Sequence, residues 1–112
     1  MANTIFKGDQ VILRCSNSVM EILHENLRKV VREKNINNDI ILDTLEKLDQ
    51  EIQGRGFAQV DINEQFAHAE ESLNLFTVLV GLAIDQAVKV GLSPLIEERL
   101  RNFQKNLIAT ET

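Results

Sequence analysis

The chain has no tryptophan, no tyrosine, one proline and one cysteine among its 112 residues. Five phenylalanines are its only aromatics, so the interior must be built from Leu, Ile and Val. The same scarcity removes the aromatic platforms on which single-stranded nucleic acid is usually stacked. Cys15 stands alone, which leaves no internal disulfide and points to a reducing compartment. The first residues lack a basic stretch followed by an apolar one, so no signal peptide is expected and the cytoplasm is the expected location. No internal repeat, low-complexity tract or linker divides the chain. With 44% hydrophobic and 26% charged residues, it reads as one globular domain over 1–112.

Charge is unevenly placed. Between Asp39 and Glu71 lie nine acidic residues against Lys47 and Arg55, a local net of −7 within a total of −5. The only basic cluster is Arg28, Lys29, Arg32 and Lys34, diluted by Glu33. An acidic balance disfavours phosphate polymers and favours a cationic partner or plain solubility.

Local signals place the elements. Gly8-Asp9 separates two apolar runs, 4–7 and 10–15, and glycine in first place predicts a type II′ hairpin. Simple alternation would put Val11, Leu13 and Cys15 on the inner face, opposite Gln10, Ile12 and Arg14. Ser18 and Glu21 form a capping box for a helix running to about Lys34, with Val19, Ile22, Leu23, Leu27, Val30 and Val31 along one side. Asn37 or Asn38 caps a second helix, about 39–53, that buries Ile41, Leu45, Leu48 and Ile52. Gly54-Arg55-Gly56 stops it. Ala58, Val60 and Ile62 alternate with Gln59 and Asp61, which predicts a short third strand near 57–62 that joins the hairpin.

The strongest pattern lies just past the middle. Phe66, Ala69, Leu73, Phe76, Val80, Ala83, Ala87 and Val90 recur at spacings of three and four, the rhythm of one continuous buried helix over about 63–90. Asp61 or Asn63 caps it and Gly91 ends it. Such a helix would span roughly 42 Å, more than the diameter expected for a domain of this length, whose radius of gyration is about 13 Å. Either one end projects or the helix breaks around Gly81. Its apolar run is too short and too interrupted for a membrane span. Ser93-Pro94 opens a last helix with Ile96, Leu100, Phe103 and Leu107 buried. The fold class read from these elements is α+β and predominantly helical, an N-terminal hairpin packed on four helices.

Chemistry is sparse. Glu64, His68 and Glu71 fall at i, i+4 and i+7 on one face of the predicted long helix, the only weak candidates for a metal site. Di-iron bundles require a Glu-x-x-His pair from each of two helices; here the order is His68-x-x-Glu71, without a second copy. No metal and no cofactor is therefore expected. Cys15 shares an apolar strand face, where thiols are inert. No G-x-S-x-G occurs, and Gly54-Arg55-Gly56 lacks the remainder of a phosphate loop. The basic cluster sits where a helix dipole favours cations, and neither a helix-turn-helix nor a zinc ligand set accompanies it. No catalytic residue, nucleic acid or membrane is expected.

Binding remains. The leading expectation is a small module whose acidic face docks on and blocks a basic protein, through Asp39, Asp43, Glu46, Asp49 and Arg55. In size and charge, though through no shared motif, the chain resembles bacterial toxin-neutralising immunity proteins. The alternative is a homodimeric accessory or chaperone-type protein paired through the 66–90 helix. A metal-binding protein or enzyme around His68 is the weaker alternative.

Overall fold

A computed structural model of the protein describes residues 2–108. Its element order is β1 (Asn3–Lys7), β2 (Gln10–Cys15), α1 (Asn17–Glu33), α2 (Asp39–Arg55), β3 (Gln59–Asp61), α3 (Ile62–Gln65), α4 (Glu70–Lys89) and α5 (Pro94–Leu107). The architecture is α+β and mostly helical, as the residue patterns predict. The sheet has the order β2-β1-β3, with β1 antiparallel to β2 and parallel to β3.

The hairpin turn has the expected form: Gly8 takes φ +64 and Asp9 does not enter the left-handed region. The facing pattern of β2 differs from simple alternation. Ile5 pairs with Leu13 and Phe6 with Val11, so Ile12 is an extra residue in a bulge. A bulge resets the period of two. Ile12 is buried beside Leu13, whereas Val11 is 50% exposed. β3 lies within the predicted segment, and Ala58, Val60 and Ile62 are all buried as expected. Asp61 serves two elements at once: its Oδ1 accepts from Gly8 N at 3.1 Å and from Asn63 N at 3.0 Å.

Ser16, rather than the Ser18–Glu21 box, caps α1, accepting from Val19 N at 3.3 Å. The reason is tertiary, because Asn17 is already tied by its side chain to Asn3 and to the Gly56 carbonyl. Asn38 caps α2 as predicted. That helix runs through Gly54 and Arg55 and stops only at Gly56, whose φ of +83 is the left-handed terminator.

The predicted single helix over 63–90 is two helices. α3 ends at Gln65, His68 adopts φ +57, and α4 starts at Glu70. The break lies at His68 and not at Gly81. It lets the chain fold back so that Ile62, Phe66 and Phe76 are all buried, with the two rings 5.2 Å apart. The 20 residues of α4 span roughly 30 Å, which fits inside principal extents of 36 × 33 × 32 Å. The excess length disappears. Val90, read as part of the stripe, is 84% exposed beyond the helix end.

α4 is the central helix, packed between α1 and α5, while α5 also reaches β2 and α2 packs on α1. By length and apolar composition α4 resembles a membrane span, yet Phe76, Leu79, Val80, Ala83, Ile84 and Ala87 form the protein core. Gly81 has a packing role. A β-carbon there would overlap the Gln104 amide, which donates to the Thr77 carbonyl at 3.1 Å, and Arg101 reaches the Gly81 carbonyl at 3.4 Å. The missing side chain lets α5 lie close.

A histidine in the left-handed region is strained by about 1 kcal/mol relative to glycine. His68→Gly is therefore expected to raise stability by about 0.5–1 kcal/mol, a melting shift of about 3–6 °C. Thermal unfolding of the two proteins checks this; a lower melting point would show that the imidazole has a stabilising contact outweighing the strain.

Candidate partner-binding face

α2 has two unlike sides because its apolar residues recur at helical spacing. Ile41, Leu45 and Leu48 are buried and fix the helix on the domain, while Asp39, Asp43 and Glu46 lie at i, i+4 and i+7 on the exposed side. Asp49 follows, half-buried on the flank that faces α1. The ion pairs among the described residues are Arg55–Glu51, Arg101–Asp85 and Arg101–Glu97. None neutralises this ridge. Among the described residues Glu46 and Asp49 accept only from the same-helix amides of Gln50 and Gln53, at 3.1 and 3.2 Å.

Arg55 is placed differently from the rest of the predicted site. Its guanidinium pairs with Glu51 at 2.7 Å and lies over the Phe57 ring at 4.8 Å. Glu51 in turn accepts from Gln59 N at 2.8 Å. Arg55 thus fastens the end of α2 to the start of β3, some 24 Å along the helix from Asp39 at 1.5 Å per residue. The structure brings Asp39, Asp43, Glu46 and Asp49 together and leaves Arg55 at the far end.

Hollows flank the ridge. On one side, Asp43, Glu46, Lys47, Gln50 and Gln65 surround about 400 Å³ between α2 and α3. On the other, α1 and α2 enclose about 280 Å³ lined by Asn17, Glu21, His24, Asp49, Ile52 and Gln53. Here α1 adds residues that the linear charge count passed over. Glu21, read as a capping residue, lies on the acidic side of this groove, and His24 is 8% exposed with Nε2 2.8 Å from the Leu45 carbonyl. The 4-3-4 spacing of Asn17, Glu21, His24 and Arg28 was the available signal for a shared stripe.

The metal candidates do not share a face. Glu64 belongs to α3, His68 to the break and Glu71 to the first turn of α4. The i, i+4, i+7 geometry required one unbroken helix. Among the described residues no group of three His, Cys, Asp or Glu side chains is placed to hold a metal ion.

Comparison with known protein families, with characterised proteins and with solved structures finds no significant match. The surface chemistry alone must therefore carry a functional reading.

Cys15 is buried, and burial pushes its thiol up from 9.0 to about 11, against a weaker downward pull from Arg99. A raised folded value means that the unfolded chain loses this proton first. Its contribution is complete below pH 9 and is lost as pH rises through 11, by up to about 2–3 kcal/mol. In denaturant titrations across that range, Cys15→Ala should lose less stability than the parent. An equal loss in both would place the alkaline sensitivity elsewhere.

Proposed function

We propose that the protein is a binding module that docks the outward face of α2 onto a basic protein partner and thereby covers the partner's cationic surface. The observation that supports this most is the run of Asp39, Asp43 and Glu46, exposed, aligned and, among the described residues, in no ion pair even with nearby Lys47, on a helix whose other side is firmly buried. Carboxylates held on a rigid helix attract a cationic surface from a distance, and their position costs no ordering on contact. Toxin neutralisation, in the manner of bacterial immunity proteins, is one role that such a blocking module would fill, and a reducing cytoplasm would suit it.

A decalysine peptide is the probe. On titration, amide shifts should cluster at Asp39, Asp43 and Glu46 and shrink steeply as salt is raised. Asp43→Lys with Glu46→Lys should slow association by about tenfold or more. Binding indifferent to salt and to these reversals would reject the reading.

A second reading has its own support. Leu75, Val78 and Leu82 lie at i, i+3 and i+7 of α4; Leu75 and Leu82 are half-buried and Val78 is 58% exposed. A homodimer through this stripe would cover them. Light scattering at micromolar concentration should then give twice the chain mass, and Val78→Asp should return it to one. A clean monomer of the parent protein ends this reading.

A further inference from the structure

The groove between α1 and α2 carries opposite charges at its two ends. The helices run antiparallel, joined through Asn35 and Asn38, and the His24–Leu45 hydrogen bond crosses between them. Toward the start of α1 the rim holds Glu21 and Asp49. Toward its end a second hollow of about 340 Å³ holds Arg28 and Arg32 above an apolar floor of Val31, Ile36, Leu42 and Leu45. Leu42 is 37% exposed, and Ile52 continues the apolar floor at the acidic end.

The basic end does not exist to cap α1. The carbonyls of Val30, Val31 and Arg32 already accept from the backbone N–H groups of Lys34, Ile36 and Asn35, at 3.0, 3.0 and 3.2 Å. Arg28 and Arg32 make no ion pair or side-chain hydrogen bond among the described residues. Three of the last four carbonyls of α1 thus have backbone partners, so Arg28 and Arg32 are not engaged as hydrogen-bonding caps. At the acidic end, the Leu45 carbonyl can only accept, so Nε2 of His24 carries the proton.

We propose that this groove recognises one extended segment of a partner protein, with a cationic end on Glu21 and Asp49, an acidic end on Arg28 and Arg32, and apolar side chains between them. From Asn17 to Arg32 the groove is roughly 22 Å long at the helical rise, which matches about seven residues of extended chain. Guanidinium forks pair bidentately with carboxylates, and the apolar floor beneath Arg28 and Arg32, with Ile52 at the acidic end, supplies burial. A phosphate polymer would meet carboxylates over half its length, so charge complementarity selects a peptide of mixed sign. The opposed ends also fix direction, since a segment laid in backwards places like charges together. This goes beyond docking on the outer face of α2 and shares only Asp49 with it.

Two eight-residue peptides of equal composition test the proposal. One has two arginines at one end, two glutamates at the other and leucines and serines between; the second alternates the charges. On the ¹⁵N-labelled protein the block peptide should shift the amides of Glu21, His24, Arg28 and Leu42 saturably, and bind about tenfold more tightly than the alternated one. A spin label on its glutamate end should broaden Arg28 and Arg32, and a label on its arginine end Asn17 and Glu21. Arg28→Glu with Arg32→Glu should abolish that preference. Adding Glu21→Arg and Asp49→Arg should restore binding with the peptide turned end for end. These rim side chains are exposed or half-buried, and a dispersed amide spectrum shows that each variant is folded. Equal binding of the two peptides, shifts confined to Asp39, Asp43 and Glu46, or no saturable shift at millimolar peptide would each overturn the proposal. The decalysine titration on the α2 ridge is read separately, so either surface can fail while the other stands.

Discussion

One buried side chain holds the start of the chain to everything that follows. Asn3 is fully buried. Its Nδ2 donates to the Cys15 carbonyl at 3.3 Å and to Asn17 Oδ1 at 2.8 Å, while its Oδ1 accepts from Ala58 N at 2.8 Å. Asn17 completes the link by donating to the Gly56 carbonyl at 2.8 Å. One amide thus joins β1, the end of β2, the start of α1 and the entry to β3. Each buried donor or acceptor left open would cost about 1–3 kcal/mol, so the network is cooperative and a partial version is disfavoured. Thr4 N to the Ala58 carbonyl, at 2.9 Å, then begins the parallel β1–β3 ladder. The sheet exists in this form because that corner is satisfied.

The surfaces follow from the same anchoring. With Asn17 fixed to Gly56, the start of α1 is held against the end of α2, and the two helices must lie antiparallel. That orientation puts Glu21 beside Asp49 at one end and Arg28 and Arg32 beside Leu42 at the other. The acidic ridge has a simpler origin. It is the polar half of an amphipathic helix whose apolar half packs on α1, α4 and β3. Neither surface requires a catalytic group, and the one thiol is held protonated by burial.

The sequence patterns were most legible where a local rule acts alone. Asn38 and Ser93 cap their helices, Gly8 forms the turn, and the stripe from Leu73 to Ala87 is inward. Misreadings share one cause, a distant contact overriding a local preference. Ser16 displaced the Ser18–Glu21 box because Asn17 was already engaged. The bulge at Ile12 exchanged the environments of Ile12 and Val11. Most consequential was His68, where neither glycine nor proline marks a break and the heptad rhythm runs on through it. Burial of Phe66 against Phe76 decided the matter, and with it the fate of the Glu64, His68 and Glu71 alignment.

By itself the sequence determined the class of fold, most of the helices, the hairpin, and the exposed carboxylates at Asp39, Asp43 and Glu46. Periodicity and capping are local properties, and a helix face follows from spacing alone. The tertiary structure decided which elements meet: the parallel pairing of β3, the break at His68, the attachment of Arg55 to Glu51 and Phe57, and the opposed charges along the α1–α2 groove. Those depend on contacts between residues far apart in the chain, and no local pattern encodes a relation between two helices before they are packed together.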